Sequence, residues 1–90
     1  MKEHERQVLV GQPIPKNSLQ DIRVHLVPDW AGGFDVDIRV YEQRDGEGTE
    51  HPTTAGFRID PDTLRELVKK LGEIRHYRRQ GDRIILVERS

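Results

Sequence analysis

Two alternating runs joined by a glycine turn constrain this chain more than any other feature. Ile22, Val24 and Leu26 alternate with Arg23, His25 and Val27. Phe34, Val36, Ile38 and Val40 alternate with Asp35, Asp37, Arg39 and Tyr41. A period of two predicts strands with one buried face and one wet face. Pro28 and Asp29 end the first run, Trp30 follows, and Ala31-Gly32-Gly33 supplies the turn, so the pair reads as an antiparallel hairpin. Its apolar face needs a second layer, and the sequence provides one. Asp60-Pro61-Asp62-Thr63 is a helix start, with Asp60 as cap and Pro61 at the first helical position. Leu64, Leu67, Val68, Leu71 and Ile74 follow at helical spacing. The helix either stops at Gly72 or runs on to about Tyr77. Between hairpin and helix, Gln43 to Thr53 reads as an acidic loop with Asp45-Gly46 and Gly48 as turn formers, and Gly56-Phe57-Arg58-Ile59 as a third strand. Val8 to Val10 and Arg83 to Glu88 read as short outer strands, expected to pair with each other or to extend a dimer sheet. Gly11 to Ser18, with Pro13 and Pro15, is an extended connector. The expected order is β-β-β-β-α-β. This is an α+β fold: a curved antiparallel sheet of about four strands, one helix and a short C-terminal strand.

Ninety residues make one domain. Within it, 1–20 is the N-terminal strand and connector, 21–77 the core, and 78–90 the basic turn and last strand. A chain this short buries only roughly 60–65% of its unfolded surface, so a homodimer is expected. With no cysteine, a disulfide framework, a thiolate metal site and cysteine nucleophile chemistry are excluded. The longest apolar run, Ile84 to Val87, is too short to span a bilayer. The N-terminal residues lack the apolar core of a secretory signal, which leaves a cytoplasmic protein, nucleoid-associated in a bacterium, as the expectation. The net charge of −1 hides an asymmetry: residues 1–64 sum to −5 and residues 65–90 to +4. A uniformly basic nucleic-acid binder is thereby excluded, but a local basic patch is not.

Little points to catalysis. Ser18 and Ser90 occupy no nucleophile elbow, and no glycine-rich phosphate loop leads into a helix. His4, His25, His51 and His76 include no i, i+4 helical pair, so no metal or cofactor is expected. Asp35 and Asp37 share a strand face and form a formal acid/base pair, though such residues are more often simply the wet side of a strand. The other constellation is a wet face with Arg23, Arg39 and Tyr41 on adjacent strands and Trp30 at the hairpin end between them. Such surfaces hold single-stranded nucleic acid, with aromatic rings under the bases and guanidinium groups at the phosphates.

Val27-Pro28-Asp29-Trp30-Ala31-Gly32, followed by Val36-Asp37-Ile38-Arg39-Val40-Tyr41, resembles the C-terminal domain of the positive-cofactor-four transcriptional coactivators. That family shows a Val-x-Asp-Phe-x-Gly turn and then an Asp-Ile-Arg-x-Tyr strand at this spacing. Gly46 to Gly48 stands at the family's Gly-Glu loop. Pro52, Gly56, Phe57, Ile59 and Pro61 follow its Pro-x-x-x-Gly-Ile-x-Leu-x-Pro order, with about one residue inserted in the loop, and Leu64 and Leu67 match its helix start. The resemblance covers roughly Asp21 to Ile74. It implies a homodimer that binds single-stranded or unwound DNA non-specifically along the sheet, with a role in transcription and contact with its machinery. Trp30 then takes the place of a stacking Phe, Arg39 and Arg23 match basic positions of the strands, and His51 stands where the family often has Lys.

The departures from that pattern concern charge. Pro28, Gly33, Thr54 and Ala55 stand where the family carries basic residues, and Glu42 where some members have Trp. Arg44 and the outward-facing Arg58 are the expected compensation. Arg75, Arg78, Arg79 and Arg83 form either a separate basic patch or a solvated helix end. The expected interface is therefore Trp30, Arg39, Arg23, Tyr41, Arg58, Arg44 and His51, binding single-stranded DNA, or RNA, without catalysis. The competing expectation is a dimeric protein-interaction module of the same fold that has lost DNA binding.

Overall fold

The computed structural model describes residues 6–44 and 48–87. The Asp45-Gly46 turn and the end of the last expected strand at Glu88 lie outside them. In chain order the elements are β1 (Val8–Leu9), β2 (Ile14–Pro15), β3 (Gln20–Pro28), β4 (Phe34–Gln43), β5 (Glu50–Ile59), α1 (Pro61–Glu73), a 3₁₀ turn (Ile74–His76), β6 (Tyr77–Gln80) and β7 (Arg83–Leu86). This is a small α+β protein with an antiparallel sheet. β1 and β2 both pair with β3, β3 with β4 and β4 with β5, while β6 and β7 form a separate two-stranded sheet.

The central hairpin has the register that the alternation demands. Ile22 opposes Val40, Val24 opposes Ile38 and Leu26 opposes Val36. β5 continues the stripe, with Phe57 opposite Ile38 and Ile59 opposite Val36. The other parity sets Arg23 opposite Arg39, His25 opposite Asp37 and Arg58 opposite Asp37. α1 packs on β4, and Leu64 and Leu67 are its half-buried residues beyond Pro61. Beneath it Val36 is 3% exposed and forms the buried apolar core among the described residues.

The helix begins as its sequence requires. The Asp60 carboxylate accepts from the Thr63 N–H at 3.0 Å, and Pro61, which has no N–H to satisfy, opens the first turn. That side-chain hydrogen bond, with backbone N–H groups, holds the Asp60 carboxyl below the ordinary aspartate range. α1 runs through Gly72 to Glu73 and tightens into the 3₁₀ turn, which resolves the open C-terminus between the two expected ends.

Three sequence expectations need correction. Val8 and Leu9 pair with Leu26 and His25 of β3, not with the C-terminal strand. That strand instead closes its own hairpin on β6, which the sequence conceals because Tyr77-Arg78-Arg79-Gln80 contains no apolar alternation. The connector also contributes a strand, with Ile14 opposite Ile22 and Pro15 opposite Asp21; proline is tolerated there because β2 lies on a sheet edge. Finally, β5 starts at Glu50, so His51, Pro52 and Thr53 belong to a strand and not to the loop.

The chain exposes 7424 Å², where a compact monomer of 10.5 kDa would expose about 5,400 Å². Its radius of gyration is 17.0 Å, against about 12 Å for a compact chain of this length. The excess is partly apolar. Val68, Leu71 and Ile74 on the helix stripe, Phe57 on the sheet, and Ile84 and Leu86 on β7 are all exposed.

Candidate nucleic-acid interface

The wet face of the sheet is organised by a spacing of two along each strand. Residues i and i+2 point the same way, so Asp21 sits beside Arg23 and Asp37 beside Arg39. Arg23 grips Asp21 with two bonds, Nε to Oδ1 at 2.8 Å and Nη2 to Oδ2 at 3.2 Å, and reaches Glu50 at 3.2 Å. Arg39 grips Asp37 in the same way, Nε to Oδ2 at 3.1 Å and Nη2 to Oδ1 at 2.9 Å. Its Nη1 donates to the Thr53 carbonyl at 3.0 Å. Two arginines directly opposed across a ladder would repel; each is neutralised by its own carboxylate. The hydrogen bonds to Asp21 and Asp37 raise the Arg23 and Arg39 guanidinium pKa values above the ordinary arginine value. Asp37 is 7% exposed, and the fork from Arg39 satisfies it.

The Thr53 carbonyl reaches Arg39 because β5 is irregular there. Gly56 opposes Arg39 and Pro52 opposes Tyr41, so residues 53–55 bulge against Val40. The Thr53 hydroxyl donates to the Val40 carbonyl at 2.8 Å and accepts from the Ala55 N–H at 3.1 Å. Gly56 makes the approach feasible: a Cβ there would lie 2.7 Å from the Arg39 Cα.

Beside the bulge is an open groove of about 680 Å³ that brings together Arg39, Tyr41, Arg44, His51 and Arg58. Five of the seven residues expected from the sequence thus share one site. Asp37 and Glu42 line it as well, leaving three arginines against two carboxylates. Sequence reasoning did not pair the arginines with carboxylates, although Asp-x-Arg occurs twice at strand spacing, at Asp21-x-Arg23 and Asp37-x-Arg39, and signals both ion pairs. Arg44 and Arg58 are exposed and carry no ion pair among the described residues. Tyr41 is half-buried. The Arg23 guanidinium carbon lies 4.6 Å from its ring centroid, and the His25 ring is 5.7 Å away and tilted. One ring face is therefore already covered by a cation.

Trp30 lies apart from the groove, at the hairpin end where the sequence places it. It occupies the turn joining β3 to β4, whereas Tyr41 lies seven residues along β4 from Phe34, about 23 Å at strand rise. Asp29 braces the turn: its Oδ1 accepts from Ala31 N–H and from Gly33 N–H, both at 2.9 Å, and its N–H donates to the Gly33 carbonyl at 3.0 Å. Gly32 takes the positive φ of 89° that closes the loop. The result is an indole 99% exposed on a hydrogen-bonded loop.

Among the described residues no group of three His, Asp or Glu side chains is placed to hold a metal ion, and no helix is long and apolar enough to cross a membrane. No protein-family model matches the chain, and no curated protein or solved structure is significantly similar to it.

Proposed function

We propose that this chain is a non-enzymatic, homodimeric domain that binds single-stranded nucleic acid without strong sequence preference. The observation that carries the reading is Trp30. A fully exposed indole contributes nothing to the core, and Asp29 holds its loop in one shape, so little ordering remains to be done when a base stacks on it. Each base–aromatic stack contributes about 1–3 kcal/mol and tolerates any base. From Trp30 the strand follows the wet face toward the groove, where Arg44 and Arg58 meet phosphates. Arg23 and Arg39, tied to carboxylates, shape the surface and add little free charge. Such binding suits the handling of unwound DNA in transcription, as the coactivator resemblance implies, and RNA presents the same stacking faces.

The pairing of Arg23 with Asp21 and Glu50, and of Arg39 with Asp37, favours a second reading: a dimeric protein-interaction module that no longer binds DNA. Titrating labelled oligothymidine at two salt concentrations separates the two. The first reading expects binding at low salt that weakens as salt rises, with a log–log slope reduced by about 0.7 on Arg58→Ala, and a loss of about 1–3 kcal/mol on Trp30→Ala. No binding at low salt overturns the first and favours the second.

A further inference from the structure

The second hairpin is the element this function leaves unused. Among the described residues β6 and β7 pair with each other and with no strand of the main sheet. At their base the Val87 N–H donates to the His76 carbonyl at 2.6 Å. An isolated two-stranded hairpin is marginal in water, so this one needs a cover. Its two faces differ. Tyr77 opposes Leu86 and Arg79 opposes Ile84, which sets Tyr77, Ile84 and Leu86 on one side. All three are exposed, Ile84 at 74%. Arg79 shares that side, and the other side carries Arg78, Gln80, Arg83 and the half-buried Ile85.

The main sheet offers a matching surface. α1 buries Val36 but leaves Ile22, Ile38 and Val40 half-exposed and Phe57 exposed. Together with Ala55, Gly56 and the stem of the carboxylate-paired Arg39 they line an open, mostly apolar recess of about 330 Å³. Charge selects the occupant. The last 26 residues carry +4, with Arg75, Arg78, Arg79 and Arg83 in and beside the hairpin, while residues 1–64 carry −5. The basic end of one copy is attracted to the acidic body of another. Area agrees: the surface in excess of a compact monomer is about 2,000 Å², enough for an interface of obligate-dimer size, which starts at about 1,000 Å² per partner.

We propose that β6–β7 is an exchange arm. In the homodimer each chain lays its Tyr77, Ile84 and Leu86 face on the Ile22, Ile38, Val40 and Phe57 surface of a second copy, a reciprocal two-fold contact. The arm rests on the homodimeric part of the proposed function and is independent of its DNA-binding part.

Sedimentation equilibrium on the full chain tests it. The wild type is expected to be dimeric at about 100 µM, and Ile84→Asp combined with Leu86→Asp to weaken dimerisation by at least about 100-fold. Because the chain lacks cysteine, a second experiment avoids disruptive charges. Ile84→Cys chains mixed with Ala55→Cys chains should give a disulfide-linked heterodimer under mild oxidation. A wild type that stays monomeric overturns the arm, as does a dimer indifferent to the double substitution, or a dimeric mixture that yields no heterodimer. If the double substitution abolishes oligothymidine binding while the mass is unchanged, the arm belongs to nucleic acid and the proposal fails. Failure of the DNA-binding reading shows separately, in the Trp30→Ala titration.

Discussion

The chain contains two hairpins with opposite fates. β3–β4 has strands on both flanks and a helix across one face, and it buries Val36 and Asp37. β6–β7 has equally regular pairing, yet its Tyr77, Ile84 and Leu86 face solvent. The difference teaches that ladder hydrogen bonds define a hairpin's shape but lateral and facial cover supplies its stability. Net hydrogen-bond gains are modest because water competes for the same groups. Apolar burial is the larger favourable term, and only the first hairpin obtains it within its own chain.

The largest expected effect breaks the first hairpin's flank. Gly56→Val drives a branched side chain into the Ile38 and Arg39 backbone and should cost about 3 kcal/mol or more, read from a denaturant midpoint. A stable, unshifted variant would mean that the bulge is not packed as described. Next, Val36→Ala should cost about 2 kcal/mol in the same assay. Ile84→Ala should cost less than about 0.5 kcal/mol when the chain is dilute enough to be monomeric, because that side chain has nothing to lose there. Equal costs at the two positions would erase the contrast between the hairpins.

The smallest effect concerns the helix that covers the first hairpin. Asp60→Ala removes a cap and should lower the melting temperature by a few degrees at neutral pH. The folded-state pKa of Asp60 is depressed. Its contribution is therefore complete above the unfolded aspartate value of about 4 and fades as pH falls through the lower folded value. The gap between wild type and variant should shrink on acidification; a gap that widens would contradict the capping geometry.

Legibility in the sequence followed the same divide. The first hairpin, the capped helix and the Gly56 strand could be read because burial on one face imposes a period on the residues. β6 could not, since a strand covered on neither side imposes no such pattern, and Tyr77-Arg78-Arg79-Gln80 resembles a solvated helix end. β1 and β2 were misplaced or missed for a related reason: strands of two residues have no period, and only the β3 edge decides their pairing. At the site, Arg39, Tyr41, Arg44, His51 and Arg58 were each expected in a seven-residue interface, and the structure brings these five to one groove. The carboxylates that occupy Arg23 and Arg39 were not expected, although the strand spacing displays them. Trp30 sits at the hairpin end, as the sequence places it, and the length of β4 separates that end from Tyr41, which lies seven residues from Phe34, about 23 Å at strand rise.

Trp30 is the single tryptophan, so its own fluorescence tests the central claim most directly. The free protein should emit at the long wavelength of a solvated indole. Oligothymidine at low salt should quench that emission in a saturable manner, with the effect reversed by added salt. Emission that stays constant through a titration to saturating oligonucleotide would contradict the proposed interface.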